Sequence, residues 1–308
     1  MQHCKKFVLA LSAMLAFSMM AVYSPKATET DAVAPRFRKL MAELETQAAR
    51  FPGETGIVIK DLKSGQSVCI NSSRLFPSAS LVKVPIMAAV FAAAQEGKLS
   101  LNDRLKLKRA HKSPGGGQLY RTRTGKKIAI SNLLERMVEQ SDNTATNMLV
   151  DALGFGYINQ KFVEFGLKNT DLRRGVMELK WRSAGIENYT TADEMAFILE
   201  KIYRKELVSP QASEAMLAIM TKQKVNDRIP KSLPSLTIAH KTGTLHDTAS
   251  DCGIIFCPEG DFIVCVLTAD IKNYRSAKRF ISSVAEQAYA CYKCEITNDS
   301  LNTKEDNW

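Results

Sequence analysis

The chain has 308 residues, of which 45% are hydrophobic and 24% charged, an ordinary globular composition long enough for one large domain or two lobes. The formal net charge is +10, and basic residues are concentrated between Lys106 and Lys127. Nucleic acid could neutralise such a patch, but we expect no nucleic acid partner because no aromatic-interleaved or groove-reading motif accompanies it. A solvated face, or weak attraction to an anionic cell wall or membrane surface, is the commoner explanation.

Residues 1–27 have the pattern of a secretory signal peptide. Lys5 and Lys6 precede an uncharged run over Phe7–Val22, and a short exit with small residues follows. We therefore predict an exported protein, either periplasmic or secreted. The apolar run is slightly long for a cleaved signal, so an uncleaved membrane anchor is the alternative. Cys4 precedes the apolar run, which is the wrong side for lipid attachment.

Six cysteines remain beyond the signal segment, and an even number in an exported chain permits disulfides. Cys291 and Cys294 could staple the last helix, but the pairing stays open. No second pair of cysteines has this spacing, and no two histidines have the His-x-x-x-His spacing of a metal site. We therefore predict neither a metal nor any other cofactor.

The apolar pattern predicts helices and strands at both ends of the chain and mostly helices between them. Neither an internal repeat nor a low-complexity linker interrupts it, so the early and late strands are predicted to share one sheet with a helical lobe inserted. The predicted divisions are a sheet lobe over 28–77 and 235–294, a helical lobe over 78–234 and a disordered polar tail over 295–308. In chain order the main elements are a helix over Pro35–Arg50, a hairpin over Gly56–Ile70, a buried helix from Ser80, helices starting near Ser131, Ala145 and Asp193, strands over Leu236–Thr244, Gly253–Cys257 and Phe262–Leu267, and a helix over Ser276–Cys291.

A Ser-x-x-Lys motif begins the buried helix. A serine and a lysine three residues apart on a helix lie on one face, which puts the nucleophile Ser80 beside the base Lys83. Val84–Ala94 carries no charge, so the helix should be buried and hold Ser80 in a fixed place. Burial also lowers the pKa of a lysine toward that of a useful base. Pro85 removes a backbone donor and predicts an irregular first turn.

Two further motifs follow in a specific order. Ser141-Asp142-Asn143 begins 61 residues after Ser80, and Lys241-Thr242-Gly243 begins 100 residues after that. Chance produces Ser-x-x-Lys roughly once in such a chain and each triplet in ~5 to 10% of chains, so the ordered set is far more specific than its parts. The set is the signature of penicillin-recognising serine enzymes, and the chain resembles the class A β-lactamase family over about residues 35 to 293.

The resemblance implies an α/β (α+β) fold of β-lactamase/transpeptidase type, with a five-stranded antiparallel sheet flanked by helices and an all-helical insertion. Ser80 Oγ would attack a carbonyl after neutral Lys83 takes its proton. Ser141 would relay a proton to the leaving nitrogen, and Lys241 would supply positive charge for a substrate carboxylate. By resemblance, the backbone N–H groups of Ser80 and Thr244 form the oxyanion hole. Caps, turns and a solvated strand end are the structural alternatives for these polar residues.

A second set of residues is predicted to bind substrate. Asn143 can hydrogen-bond an acyl side-chain amide, and Thr242 and Thr244 offer hydroxyls. Gly243 is expected where a strand lets substrate come close. The strand after it lacks the Arg that many β-lactamases use for the substrate carboxylate. Arg228 could replace that Arg, or it could be a helix-end cation.

One departure from the family pattern concerns deacylation. Class A β-lactamases carry a Glu that activates water in the connection before the Thr-Thr helix. Here the alignment puts Val176 at that position, and Lys180 replaces an Asn nearby. Glu178 could be a displaced base, but a solvated or ion-paired loop residue is the simpler interpretation. Loss of the base should leave acylation intact and slow β-lactam hydrolysis by ~10² to 10⁴.

The sequence thus predicts a monomeric, exported serine hydrolase that forms an acyl-enzyme on Ser80. Its substrate is a D-Ala-D-Ala peptidoglycan stem peptide or a β-lactam. We favour a penicillin-binding peptidase resembling PBP-A, because Val176 and Lys180 depart from the β-lactamase pattern. A class A β-lactamase is the first alternative, and a penicillin sensor that never turns over is the second.

Overall fold

The computed structural model describes residues 35–302. The strands are β1 (Glu54–Asp61), β2 (Ser67–Ile70), β3 (Phe76–Pro77), β4 (Arg104–Lys106), β5 (Lys127–Ala129), β6 (Tyr189–Thr190), β7 (Thr237–Leu245), β8 (Thr248–Phe256) and β9 (Phe262–Ala269). The helices are α1 (Pro35–Ala49), α2 (Lys83–Gln95), α3 (Ile130–Glu139), α4 (Asn143–Leu153), α5 (Phe155–Glu164), α6 (Leu179–Ser183), α7 (Ala192–Tyr203), α8 (Pro210–Met220), α9 (Ile229–Ser232) and α10 (Tyr274–Asn302).

The central sheet has five antiparallel strands in the order β2-β1-β9-β8-β7. This confirms the expected α/β fold and the joining of early and late strands. Every residue of β9 is buried, because helices cover both faces of the sheet. The strand β7 lies at an edge of the sheet, so one side of its backbone is available to a ligand.

Two hydrophobic clusters lie on the two faces of the sheet. One face packs against α1 and α10, whose apolar residues recur at helical spacing and include the buried Phe37 and Ile281. The other face packs against α7 and α8, and α2, which belongs to the same hydrophobic cluster, is surrounded by α3, α4, α5 and α8. Every residue from Lys83 to Ala93 is buried, as expected for a helix without a charged face.

The beginning of α2 is irregular, as Pro85 predicts. A 3₁₀ turn over Ala79–Val82 precedes the helix, and α2 itself begins at Lys83. Ser80 therefore lies on the tight turn before the helix rather than within it. This turn keeps Ser80 half-exposed while its neighbours Leu81 and Val82 are fully buried.

At the other end of the chain α10 runs to Asn302, beyond its predicted end at Cys291. The predicted signal segment, with its cleaved and anchored alternatives, lies outside the described residues, as do residues 303–308 of the predicted tail. Within residues 35–302, no helix is both long and apolar enough to cross a membrane. The side chains of Cys69, Cys252, Cys257 and Cys265 are free thiols.

Phe37 tests the packing of α1 on the sheet. Its side chain is fully buried, and its ring meets that of Tyr292 edge-on with centroids 6.3 Å apart. We expect Phe37→Ala to lower the free energy of unfolding by about 3–5 kcal/mol, because it leaves a cavity in a tightly packed core. Urea unfolding followed by circular dichroism measures the loss.

Met41→Ala on the same helix is the matched control, because that side chain is 39% exposed. We expect it to change stability by about 0.5 kcal/mol or less. Equal losses in the two variants would contradict the packing of Phe37 between α1 and the sheet.

Candidate active site

The turn that carries Ser80 packs directly on strand β7. A Cβ atom on Gly243 would lie 3.2 Å from Leu81 Cγ and 3.3 Å from Ala79 Cβ, the two neighbours of Ser80. Gly243 therefore allows the turn itself to approach β7. The predicted approach by substrate stays a prediction. Ala79 has a φ of 46°, an uncommon value for a residue with a side chain. Such strain is typical of segments whose conformation is imposed by a functional site.

Lys83 lies at the start of α2 with no exposed surface. Its Nζ lies 2.7 Å from the Ser141 carbonyl oxygen, 2.8 Å from Asn143 Oδ1 and 3.2 Å from Ser141 Oγ. Burial lowers the pKa of Lys83 well below its usual value, and the charge of Lys241 adds to this, while Asp142 opposes it. When Lys83 is neutral, its two N–H groups can donate to the Ser141 carbonyl oxygen and to Asn143 Oδ1. Its nitrogen lone pair is then left to accept a proton from a hydroxyl.

Lys241 approaches the same hydroxyl from β7. Its Nζ donates to Ser141 Oγ at 3.0 Å and to the Thr242 carbonyl at 2.9 Å. Burial lowers the pKa of Lys241 to about 7, while the Asp251 carboxylate raises it and the charge of Arg228 lowers it. The Ser141 hydroxyl thus lies between two buried amines from different parts of the chain, so a proton can pass through it.

The loop before α4 holds Ser141 in place. Ser141 has a φ of 55°, and a Cβ atom on Gly116 would lie 2.3 Å from its carbonyl oxygen. Asp142 caps α4 by accepting from Ala145 N at 2.9 Å. The amide of Asn143 bridges the two sides, since its Oδ1 accepts from Lys83 and its Nδ2 donates to the Pro114 carbonyl at 2.9 Å.

The sequence analysis missed two of these contributions. It assigns no role to the three consecutive glycines at 115–117, whose lack of side chains lets the loop contact Ser141 and Asp142. A run of three glycines beside a polar triplet is the signal that could have shown it. Asp142 had no predicted role, although Asp before an apolar helical stretch is a recognised cap.

Arg228 lies under the end of β7 and is 2% exposed. Its Nη2 donates to Thr244 Oγ1 at 2.6 Å, and its Nη1 donates to the Ser250 carbonyl at 3.2 Å. Arg228 is the N-cap residue of α9, so it does lie at a helix end, but at the N-terminus, where a cation does not complement the helix dipole. Its charge lies beside the exposed Thr244, where it can act on a bound anion through that hydroxyl.

The connection between α5 and α7 closes one side of the site. Asn188 joins the two ends of this connection, because the Asn188 Oδ1 accepts from Arg173 N and Arg174 N. The Asn188 carbonyl also accepts from Ser78 N at 2.8 Å. The guanidinium of Arg174 and the Glu187 carboxylate form an ion pair with only 3% and 5% of their side chains exposed. The loop is therefore tied to the residues just before Ser80.

Within this loop Val176 is buried and Glu178 turns away from the reacting groups. Glu178 Oε2 accepts from Gly175 N at 3.1 Å, which closes a local turn. Lys180 is exposed, with Nζ 5.2 Å from the ring centre of Trp181. Met177 reaches the glycine loop, since a Cβ on Gly115 would be 3.4 Å from both Met177 Cε and Asn143 Nδ2. The loop thus meets the glycine loop through the apolar side chain of Met177.

A second ion pair joins the loop to the turn between β7 and β8. Arg182 Nη2 donates to both carboxylate oxygens of Asp247 at 2.9 Å, and Arg182 Nε lies 2.7 Å from Glu187 Oε2. Two guanidinium groups and two carboxylates therefore alternate in a row of ion pairs from Arg174 to Asp247. This row spans the rim of the site beside β7.

The residues that the sequence predicted for chemistry therefore meet at one place, where the turn with Ser80, the start of α2, the loop before α4 and the edge strand β7 converge. A nucleophilic hydroxyl, a buried amine with a lowered pKa and a second amine near the edge strand are the groups needed for acyl transfer. Within the described part of the chain, no group of three or more His, Cys, Asp or Glu residues has the arrangement of a metal site.

Known proteins are similar to this chain in sequence and in fold. The beta-lactamase enzyme family matches residues 38–292. The extended-spectrum beta-lactamase PER-1 of Pseudomonas aeruginosa is 25% identical over 298 residues, covering 91% of this chain and 94% of PER-1. The structure of a PBP-A point mutant, in an acyl-enzyme complex with penicillin G, has a TM-score of 0.78 and 30% identity over 83% of this chain and 97% of PBP-A. A beta-lactamase from Sphaerobacter thermophilus has a TM-score of 0.76 and 28% identity, covering 84% and 97%.

Fold and motifs together define a serine hydrolase of the penicillin-recognising type. The chain belongs to the beta-lactamase enzyme family, which confirms the resemblance found in its motifs.

The lowered pKa of Lys241 predicts the pH dependence of acylation. If Lys241 binds the carboxylate of a penicillin as a cation, its positive charge is present below pH 7 and lost as the pH rises through about 7. We expect the second-order rate constant of acylation to fall on the basic side with an apparent pKa near 7. Stopped-flow measurements between about pH 5 and 10 test this.

Lys241→Arg is the matched variant, because a guanidinium remains charged throughout this range. We expect the basic limb of its profile to disappear below about pH 10. A limb near pH 7 in both proteins would assign the titration to another group.

Proposed function

We propose that this enzyme is a penicillin-binding D,D-peptidase that cleaves D-Ala-D-Ala stem peptides of peptidoglycan. The carrying observation is the buried Val176, which the alignment places at the position of the water-activating Glu, together with the turn that holds Glu178. An exported, periplasmic or secreted location is part of the proposal and follows from residues 1–27.

The positions of the two buried amines support the following acylation step. Neutral Lys83 takes the proton of Ser80 Oγ, which forms a bond to the penultimate carbonyl carbon. The backbone N–H groups of Ser80 and Thr244 receive the oxyanion. The C–N bond then breaks, and the leaving nitrogen takes a proton through Ser141. Lys241 holds the terminal carboxylate, and the edge of β7 pairs with the peptide backbone.

The two substrate classes differ at deacylation. A stem peptide releases its terminal D-Ala as a free amino acid, which leaves room for water beside the ester. A β-lactam keeps its leaving nitrogen covalently attached, so water must enter beside it from the side of Val176. An apolar side chain there activates no water, which explains how one site could turn over peptides and retain penicillin.

A class A β-lactamase is the second candidate, and a specific observation favours it. PER-1, an extended-spectrum beta-lactamase, matches 91% of this chain. If another group activates water, the same acyl-enzyme would be hydrolysed quickly. The lifetime of the penicillin adduct distinguishes the two candidates.

Intact-protein mass spectrometry after addition of penicillin G tests the proposal. We expect an adduct that persists for at least minutes, together with release of D-Ala from a soluble stem peptide in a parallel assay. A transient adduct with loss of bulk penicillin indicates a β-lactamase, and a permanent adduct without D-Ala release indicates a sensor. Ser80→Ala should form no adduct, and labelling of that variant would overturn the assignment of the nucleophile.

Val176→Glu tests the account of deacylation. We expect this substitution to accelerate release of the penicillin adduct by about 10²-fold or more, because it restores a carboxylate that can activate water. The matched control is Val176→Gln, which has nearly the same size and cannot act as a base. An unchanged lifetime in the Glu variant, or equal acceleration by both variants, would contradict the role assigned to this position.

A further inference from the structure

The positive charge of the chain is concentrated in one segment. Residues 101–136 contain ten Lys and Arg residues and two acidic residues, so they carry +8 of the total net charge of +10. We call this segment the basic segment. Eight of its cations are exposed, namely Arg104, Lys106, Lys108, Arg109, Arg121, Arg123, Lys126 and Lys127.

Within the described structure, seven of these eight exposed cations lack a carboxylate partner. Among the described residues, Lys108 is the single cation of the basic segment with a carboxylate within 4 Å, that of Asp151. Elsewhere cations are frequently paired, as Arg174 is with Glu187 and Lys161 with Glu96. In the β4–β5 ladder Lys106 lies directly opposite Lys127, and opposed like charges destabilise a strand pair. The segment thus holds unneutralised charge at a cost in stability.

A cleft within the basic segment concentrates this charge. Its volume is about 240 Å³, and none of its lining residues is acidic. Arg104, Lys126, Lys127 and Arg136 line it, and Arg136 Nε donates to Asn132 Oδ1 at 2.8 Å. This bond orients the guanidinium and leaves its terminal nitrogens for an anion, and guanidinium groups pair well with carboxylates.

The cleft adjoins the active site. Leu119 lines the cleft, and its N–H donates to Asp142 Oδ2 at 2.9 Å. On the other wall, the carbonyl of Arg136 accepts from Asp142 N at 3.0 Å. Asp142 lies between Ser141 and Asn143, so both walls of the cleft are joined to the loop that carries these site residues.

The surface of the basic segment favours a polymer with spaced anionic groups over a bilayer or a nucleic acid. None of the large exposed apolar side chains of the described chain belongs to the segment, so it offers nothing to insert into lipid. Tyr120 is its one aromatic residue, and its hydroxyl accepts from Arg121 Nε, whereas single-stranded nucleic acid requires several stacking rings.

We propose that the basic segment is an exosite for polymeric peptidoglycan, in which the cleft binds the free carboxylates of neighbouring stem peptides while one stem occupies the active site. This proposal rests on the proposed function, because it specifies the polymeric form of that substrate. Peptidoglycan stems carry carboxylates at intervals, which matches a segment that presents several unpaired cations.

The test compares two triple variants with equal loss of charge. The exosite variant combines Arg104→Gln, Lys106→Gln and Lys127→Gln. The control combines Arg38→Gln, Lys63→Gln and Lys168→Gln, three exposed cations without ion pairs in the described structure. Both are measured for co-sedimentation with peptidoglycan sacculi freed of phosphate polymers, and for D-Ala release from sacculi and from a short soluble peptide.

We expect the exosite variant to lose at least about 10-fold in affinity for sacculi and in kcat/KM on sacculi, because the attraction of a charged surface accounts for factors of this size. Its rates with the soluble peptide and with penicillin G should be unchanged. Amidation of the sacculus carboxylates should remove the difference between wild type and variant. Charge-preserving Lys106→Arg/Lys127→Arg should bind sacculi like wild type, which separates charge from folding.

Equal binding of sacculi by the exosite variant and the control would overturn the proposal. So would retention of wild type on anionic vesicles or duplex DNA without binding to sacculi. Absence of D-Ala release from the soluble peptide by wild type would instead contradict the proposed function. Co-sedimentation reports binding without turnover, so the two failures are distinguishable.

Discussion

The structure of the site depends on one hydroxyl held between two buried amines. Ser141 Oγ lies 3.2 Å from Lys83 Nζ and 3.0 Å from Lys241 Nζ, and neither lysine has exposed surface. Burying two cations side by side is unfavourable, so each amine needs hydrogen-bond acceptors and at least one must lose its proton easily. The carbonyl oxygens of Ser141 and Thr242 and the amide of Asn143 provide those acceptors. The position of the loop before α4 follows from this requirement.

Much of the surrounding structure keeps these three groups at fixed distances. The turn around Ser80 lies against β7 because Gly243 has no side chain, and the glycine loop lies against Ser141 for the same reason. Both Ala79 and Ser141 adopt positive φ values, so two uncommon backbone conformations occur where the segments meet. Packing energy from two hydrophobic clusters offsets this strain, which is the usual relation between a rigid core and a functional site.

Charge is distributed differently on the two sides of the site. In the loop near Val176, cations and carboxylates alternate from Arg174 to Asp247, and these ion pairs fix the rim of the active site. In the basic segment the cations have almost no partners, so their field extends into solvent. One side is thus organised for rigidity and the other for attraction. A polymeric anionic substrate would use both, because it must be drawn in and then held in one register.

The sequence by itself determined the motifs, the buried helix after Ser80, the irregular turn at Pro85 and the joining of early and late strands, because these follow from local chemistry and apolar periodicity. It also determined the absence of a Glu at position 176. Only the tertiary structure decided that Ser141 lies between Lys83 and Lys241, that Glu178 folds back on Gly175 and that Arg228 binds Thr244. These contacts join residues far apart in the chain or depend on the direction of a side chain within a loop. Neither a long-range contact nor a side-chain direction can be inferred from the apolar periodicity of the sequence.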